Sequence, residues 1–361
     1  MSGIGGRSVL RFWRLGLGQR LPGDRRKPVN DRKIMEEQLS YPLREGSSRV
    51  LTCRRCQGKN RVHQQRAFEQ PDKLRCGHCQ AQLLCSREQS LHAVAGRYLH
   101  PLDQKSMAAL ESVPGVSSLL RKLVEVTVER YDRLFNQSSY VRVGGSQLPS
   151  LERLFERAAS NLGLKDLPEL YLYQGPDINA HTGGVENHYV AISSALCDMM
   201  SDDEIVAVMA HELAHVQSQH VLYKIAARLF SFAAGELAKV TLGVGNLVLL
   251  PLQLALYKWD RCSELTADRG MLLATRDPEL VLRVLMKMAC NSQRLQNELS
   301  LERFMDQALR ARQAPEDGVL DRVFTLLQTA SRTHPFPLWR AAELWQWACQ
   351  GEYLDLIQIE N

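Results

Sequence analysis

A chain of 361 residues that is 45% hydrophobic and 24% charged has an ordinary globular composition with room for two or three domains, which excludes a fibrous or wholly disordered protein. The net charge of +5 sits at one end: residues 1–34 carry nine Lys/Arg against Asp24 and Asp31, leaving 36 basic and 38 acidic residues over the rest. That balance excludes a protein-wide nucleic-acid surface, and no nucleic-acid partner is expected.

Residues 1–48 read as a basic, disordered tail. Arg-rich and acid-poor, with Leu10, Phe12, Trp13, Leu15 and Leu17 interspersed, the tail could instead imitate an organellar presequence, touch anionic lipid, or precede a true start at Met35. Residues 49–90 hold Cys53, Cys56, Cys76 and Cys79 in two CxxC pairs 19 residues apart, the spacing of a four-cysteine zinc ribbon. So small a unit needs its metal to fold, and its basic loop suits stability or partner docking better than base stacking. The wording around these cysteines resembles the ribbon ahead of some thioredoxins, without a thioredoxin active-site pattern. Cys85, Cys197, Cys262, Cys290 and Cys349 read as buried small hydrophobes. Nine cysteines, an odd count without a disulfide framework, fit a reducing compartment, so a cytoplasmic protein is expected, with room for peripheral contact with a membrane.

Residues 99–355 read as one mainly helical domain with a small sheet. The patterns predict a helix over Ala108–Phe135 broken near Pro114, an amphipathic helix over Leu148–Leu162, and strands at Pro168–Gly175 and Asn187–Ser194. Ser201 and Glu204 form a capping box that starts a helix, and Asp277 with Pro278 starts another over Glu279–Leu295. Leu299–Arg312, Asp317–Ala330 and Leu338–Gln350 continue the helical pattern. The second strand, at Tyr189, Val190 and Ala191, is expected to be an edge strand to which an extended peptide adds through main-chain hydrogen bonds.

The helix begun at Ser201 contains MAHELAHVQSQH. At about 100° per residue His211, His215 and Glu212 fall within one arc, with Ile205, Val208, Met209, Leu213 and Val216 on the adjoining apolar side. Histidines at i and i+4 converge on a metal, and a glutamate beside the metal can take a proton from a water attacking a carbonyl. An amphipathic helix with solvated or core histidines is the plain alternative. A third ligand is needed, and RCSELTADRG supplies it: Glu264 can reach the metal, and Asp268 can accept the second ring N–H of His211. A solvated acidic face beside Arg261 and Arg269 is the competing reading of that segment.

With these motifs the chain resembles the gluzincin zinc metallopeptidases that include the HtpX heat-shock proteases, the CAAX prenyl endoproteases and a related mitochondrial inner-membrane protease. INAHTGG (Ile178–Gly184) is similar to the family's Asn-Ala motif, ELTAD (Glu264–Asp268) to its third-ligand motif and THPFPLWR (Thr333–Arg340) to its His-Pro motif. The resemblance covers about residues 99–350 in the family's order. It implies an α+β, mainly helical zincin-like metallopeptidase domain with a small sheet behind an N-terminal zinc ribbon. It implies zinc on His211, His215 and Glu264, Glu212 as general base, His334 stabilising the oxyanion, Arg340 supporting the Glu264 side and Asn179 touching substrate. Residue 181 departs from the pattern, with His where an aromatic residue is common; His181 and His188 could be extra polar groups in the cleft, but read more simply as strand-end residues.

The implied activity is zinc-dependent endoproteolysis of extended or unfolded protein segments, with one catalytic and one structural zinc. The alternatives are a non-catalytic zinc-binding adaptor for unfolded protein and a membrane-surface protease of the CAAX-processing type. Val240–Tyr257 carries no charged residue, but His215 and Glu264 must meet at one metal, so the chain between them crosses a membrane twice or not at all. Lys224, Arg228, Glu236 and Lys239 make a second span costly. Ile225–Trp259 is therefore expected to form a helical hairpin shaped by Gly243, Gly245 and Pro251, buried as core or lying on a membrane surface.

Overall fold

The computed structural model describes residues 40–43, 47–86, 96–112, 130–229, 244–313, 334 and 336–359. The expected Asp317–Ala330 helix, the tail before Ser40 and the turn of the hairpin lie outside them. Tyr41–Asn361 form one compact unit.

The ribbon contains the antiparallel pair β1 (Ser48–Thr52) and β2 (Lys59–His63), followed by α1 (Gln64–Glu69). The helical body then begins with α2 (Pro101–Glu111), whose N-cap His100 accepts from Leu102 N through Nδ1. Residues 130–139 are also helical.

A four-stranded sheet follows. It consists of β3 (Val141–Arg142), β4 (Glu169–Tyr173), β5 (Ala180–Gly183) and β6 (Tyr189–Ser193) in the order β3-β4-β6-β5. Strand β6 runs parallel to β4 and antiparallel to β5. This corrects the expected edge: β6 is paired on both sides and Tyr189, Val190 and Ala191 are buried, so none of them can receive an added strand. The edge strands are β5, next to β6, and the two-residue β3 at the far side. The alternation of NHYVAISS was compatible with either place, because periodicity reports which faces are buried and not how many neighbours a strand has.

The helices between and after these strands are α3 (Pro149–Leu162), opened by Pro149 and closed by Gly163 at φ 71°, and the short α4 (Ser194–Met199), which packs on β6. Helix α5 (Asp202–Gln217) starts from the expected capping box: Ser201 Oγ accepts from Glu204 N and Glu204 Oε2 from Ser201 N. Every residue from Glu204 to His215 is buried, because α5 is enclosed by α3, by β5 and by the following helices.

Residues 221–229 are helical and 221–227 are buried: Val221, Leu222, Tyr223, Ile225 and Ala226 pack with Leu110, Leu256 and Trp259, while Arg228 is exposed. This described part of the expected hairpin is core. The returning arm is α6 (Val244–Thr275), which runs through Gly245 and Pro251 instead of turning there. Among the described residues no helix is long and apolar enough to cross a membrane.

Helix α7 (Pro278–Cys290) begins where Asp277 accepts from Leu280 N, and ends five residues earlier than expected because Asn291 takes the left-handed conformation at φ 47°. Helices α8 (Leu301–Gln313), α9 (Pro337–Gln350) and α10 (Glu352–Leu356) complete the body. Cys85 and Cys262 are buried as expected, whereas Cys197, Cys290 and Cys349 are half-buried, and all nine cysteines are free thiols.

Candidate metal centre and active site

Helix α5 meets α6 at a point set by Gly270. A Cβ on that glycine would lie 2.5 Å from the Cβ of Ala214, so the two backbones approach as closely as two small residues permit. His211 and His215 flank Ala214 on α5, and Glu264 and Asp268 lie within two turns before Gly270 on α6, so this crossing lays the two histidines against the two carboxylates. His211 Nε2 is 3.4 Å from Glu264 Oε2, and His215 Nε2 is 3.3 Å from Glu264 Oε1. Donors about 2.0–2.1 Å from a tetrahedral zinc stand about 3.3–3.4 Å apart, so the spacing fits that metal. Both ring nitrogens lack a hydrogen-bond partner although buried, the expected condition of lone pairs aimed at an ion. His334 joins the cluster, all four donors lying within 4.8 Å of one another.

The surroundings complete the assignment of charge. His211 Nδ1 lies 3.1 Å from Asp268 Oδ1, close in distance though not aligned as a hydrogen bond. Arg340 grips Asp268 with two bonds of 2.8 and 2.6 Å and sets its third nitrogen 3.1 Å from Glu264 Oε2. Glu212 Oε2 accepts from Thr182 Oγ1 at 2.6 Å, while its Oε1, 3.4 Å from His334 Nε2, has no hydrogen bond. His334 Nδ1 lies 2.8 Å from Glu264 Oε2 and its Nε2 2.8 Å from the carbonyl of Ala180. Burial pushes the Glu264 carboxyl up, but the Lys224, His334 and Arg340 charges outweigh it and hold the group well below the usual carboxylate range.

A sequence model of peptidase family M48 matches residues 146–348, more than half the chain. The chain belongs to peptidase family M48. It is thus of the zinc metallopeptidase class, with the mainly helical fold, small sheet and four-cysteine cluster expected. The plastoglobule-localized metallopeptidase 48, chloroplastic, of Arabidopsis thaliana is 29% identical over 269 residues, 74% of this chain and 76% of that protein. A protease HtpX homolog of Ralstonia pickettii is 27% identical over 175 residues, 43% of this chain and 60% of the relative. Protease HtpX of Shewanella halifaxensis is 48% identical over 62 residues, 17% of this chain and 21% of the relative. No solved structure matches.

The M48 frame places each candidate residue. His211, His215, Glu264, Glu212, Asp268, Arg340 and His334 are brought together, whereas Tyr189, Val190 and Ala191 sit one strand inside the edge. Asn179 lies at the head of β5, its carbonyl accepting from Ser193 N and its N–H bonded to Ser193 Oγ. His188 Nδ1 bonds the Gly184 carbonyl in a turn. His181 stands among Tyr140, Tyr173 and Tyr189, where burial and the Arg228 charge bring its imidazole down to about 4.

Several neighbours of the cluster carried no signal in the sequence. Thr182 is one, visible only once β5 lies across α5. Lys224 is another: buried, it bonds Glu264 Oε1 at 2.7 Å and Asp260 at 2.8 Å. His220 and Asp103 are the others. His220 stood in the quoted stretch, but outside the arc of the metal-facing residues.

The ribbon cysteines form the second cluster. Cys53 and Cys79 sulfurs are 3.7 Å apart and those of Cys56 and Cys76 3.6 Å, against about 3.8 Å for two thiolates on a tetrahedral zinc. The Cys76 thiol is drawn down to about 6, chiefly by the Cys79 backbone N–H, which favours the thiolate that a metal needs.

Proposed function

We propose that this M48 peptidase is a zinc-dependent endopeptidase that cuts extended or unfolded protein segments, with Glu212 as general base. One observation carries the reading: an uncommitted carboxylate oxygen, Glu212 Oε1, stands beside three donors at zinc spacing. His211, His215 and Glu264 hold one zinc and Cys53, Cys56, Cys76 and Cys79 a second, structural one. When bound, the catalytic zinc supplies a Lewis acid that polarises the scissile carbonyl and acidifies the attacking water.

Glu212 takes the proton of that water on Oε1 and delivers it to the departing amine, while Thr182 keeps Oε2 occupied. Arg340 keeps Asp268 and Glu264 ionised, and His334 is the donor for the oxyanion. The substrate lies along the free edge of β5 instead of β6. Because Ser193 N reaches the Asn179 carbonyl, the alternation of an antiparallel pair turns the backbone groups of Ala180 and Thr182 outward. An added strand takes the Thr182 groups and the Ala180 N–H, the Ala180 carbonyl being held by His334 Nε2, with the Asn179 side chain at its end; such pairing ignores side chains and suits unfolded segments.

Cleavage of casein by the wild type and by Glu212→Gln, both loaded with about two zinc ions per chain, tests this. We expect cleavage by the wild type alone; equal cleavage by both removes Glu212 from the mechanism. No cleavage by either points first to a latent or highly selective protease and second to the zinc-binding adaptor. A membrane-surface protease is the second reading, favoured by the plastoglobule-localized relative, while the location argued from the cysteines remains cytoplasmic. Flotation with liposomes decides between them, with Val240–Tyr257 made polar as the control: flotation that this change abolishes places the enzyme on a membrane.

A further inference from the structure

Metal-binding histidines need one nitrogen protonated and turned away, so that the other presents a lone pair. His211 has Asp268 for this purpose. His215 has no carboxylate in contact with its outer nitrogen: its Nδ1 lies 2.9 Å from His220 Nδ1. The far nitrogen of His220, Nε2, is 2.9 Å from Asp103 Oδ2, and that oxygen also accepts from Thr266 Oγ1 at 2.6 Å. His220 and Asp103 are 1% and 2% exposed, so water does not supply alternative partners.

We infer that His220 and Asp103 are positioning residues that fix the tautomer of His215 through two hydrogen bonds in series. The reading rests on His215 being a metal ligand, as proposed above, and its logic is one of donors and acceptors. An ionised Asp103 only accepts, so a neutral His220 must carry its proton on Nε2. His220 Nδ1 is then an acceptor, so His215 Nδ1 must donate, and His215 Nε2 is left with the lone pair that faces Glu264. Each of the two ligand histidines thus faces its own aspartate: His211 has Asp268 Oδ1 3.1 Å from its Nδ1, and His215 has Asp103 across an intervening ring. The same geometry keeps His220 from being a ligand, since both its nitrogens are engaged away from the cluster.

The backbone places the relay locally. Gln219 takes the left-handed conformation at φ 57°, His220 N bonds the carbonyl of His215 at 3.0 Å, and Gln219 N bonds that of Val216 at 3.1 Å. This is the doubly bonded C-terminal cap of a helix, here closing α5. It folds the chain back so that the first residue beyond the cap stands beside the ring of His215. Asp103 arrives from α2, where the His100 backbone N–H bound to Thr266 Oγ1 at 2.9 Å fixes the helix start against α6.

The test reads zinc affinity, not cleavage, so a peptidase reading that fails on casein leaves it intact. In full-length protein, chelator competition should show His220→Phe and Asp103→Asn binding the catalytic zinc about 10–100-fold more weakly than wild type. The ribbon zinc, retained in the same molecules, should be unchanged. A packing control, Leu110→Ala in the same cluster, should lower Tm without changing that affinity. Affinity within about twofold of wild type in folded variants would overturn the inference. If both variants fail to fold, 15N shifts of histidine-labelled wild type with zinc bound decide it. Protons on His215 Nδ1 and His220 Nε2 are expected, and a proton on His220 Nδ1 refutes the relay.

Discussion

At the scale of single residues, the two oxygens of Glu212 differ in surroundings, and that difference is what makes the side chain useful. Thr182 Oγ1 holds Oε2 at 2.6 Å and so turns Oε1 toward the histidines. Thr182→Val removes the donor at nearly constant volume. It should lower kcat about tenfold, the cost of one hydrogen bond to a charged group, with KM and zinc content unchanged. Steady-state kinetics with metal analysis checks this; unchanged kcat would mean that Glu212 is oriented by other contacts. The spacing of His211, Glu212 and His215 was legible because helical geometry alone fixes it. Glu264 and Asp268 were legible from the need for a third ligand and their i, i+4 spacing, His334 and Arg340 only because their motif resembles that of a family. Thr182, Lys224 and Asp103 were not, because each makes its contact between segments far apart in the chain and a lone Thr, Lys or Asp carries no spacing rule; His220 was not, because the left-handed turn at Gln219 that brings it beside His215 has no mark in the histidine spacing.

At the scale of elements, the α5–α6 crossing and the start of α2 each rest on one residue. A methyl at Gly270 meets the methyl of Ala214 at 2.5 Å on two helices that are buried along this length, so the helices must part. Gly270→Ala should destabilise by about 1–3 kcal/mol despite its better helix propensity. Adding Ala214→Gly should recover part of the loss; denaturant midpoints for the two single variants and the pair measure the coupling. His100 controls α2 by accepting a hydrogen bond through Nδ1, which a protonated ring cannot do. Burial, then the Arg269 charge, lowers the folded pKa to about 4 from the ordinary 6.5. Between those values the unfolded chain binds the proton and the folded one does not, so this contribution to stability is complete above about pH 6.5 and is lost as pH falls toward 4. His100→Asn keeps a cap acceptor that does not titrate, so its urea midpoint should fall less than the wild type's between pH 7 and pH 4.5. An identical fall would remove His100 from the acid response. The helix starts at Ser201 and Asp277 were readable from caps, whereas the start of α2 at His100 was not, the helix being expected only from Ala108. The edge of the sheet was not, because which strand ends a sheet depends on a pairing that no local pattern encodes.

At the scale of the whole molecule, the ribbon is bonded to the end of the chain. Cys85 N bonds the Ile357 carbonyl at 2.7 Å and Ile359 N the Leu83 carbonyl at 3.3 Å, while Phe68 packs against Trp345 and Tyr353. Arg49 and Gln64 both donate to the carbonyl of Cys349, in the last turn of α9, at 2.7 and 2.8 Å. They satisfy a carbonyl that a helix end otherwise leaves unpaired, and the Arg49 charge complements the negative end of the helix dipole. The other end of α9 carries Arg340, which holds Asp268 and Glu264, so the ribbon secures the helix on which the metal centre's buried arginine is mounted. Removing the ribbon metal should therefore be felt in the peptidase body. Cys76→Ser, or Phe68→Ala at a cost of about 3–5 kcal/mol, should lower the Tm of a single unfolding transition recorded both by far-UV circular dichroism and by release of the catalytic zinc. A ribbon that melts alone, leaving Tm of the body and retention of its zinc as in the wild type, would instead make it an appended docking module. The contacts at Cys349 argue for the former, since a ribbon that melted alone would leave that carbonyl and the ring of Trp345 exposed at the end of α9.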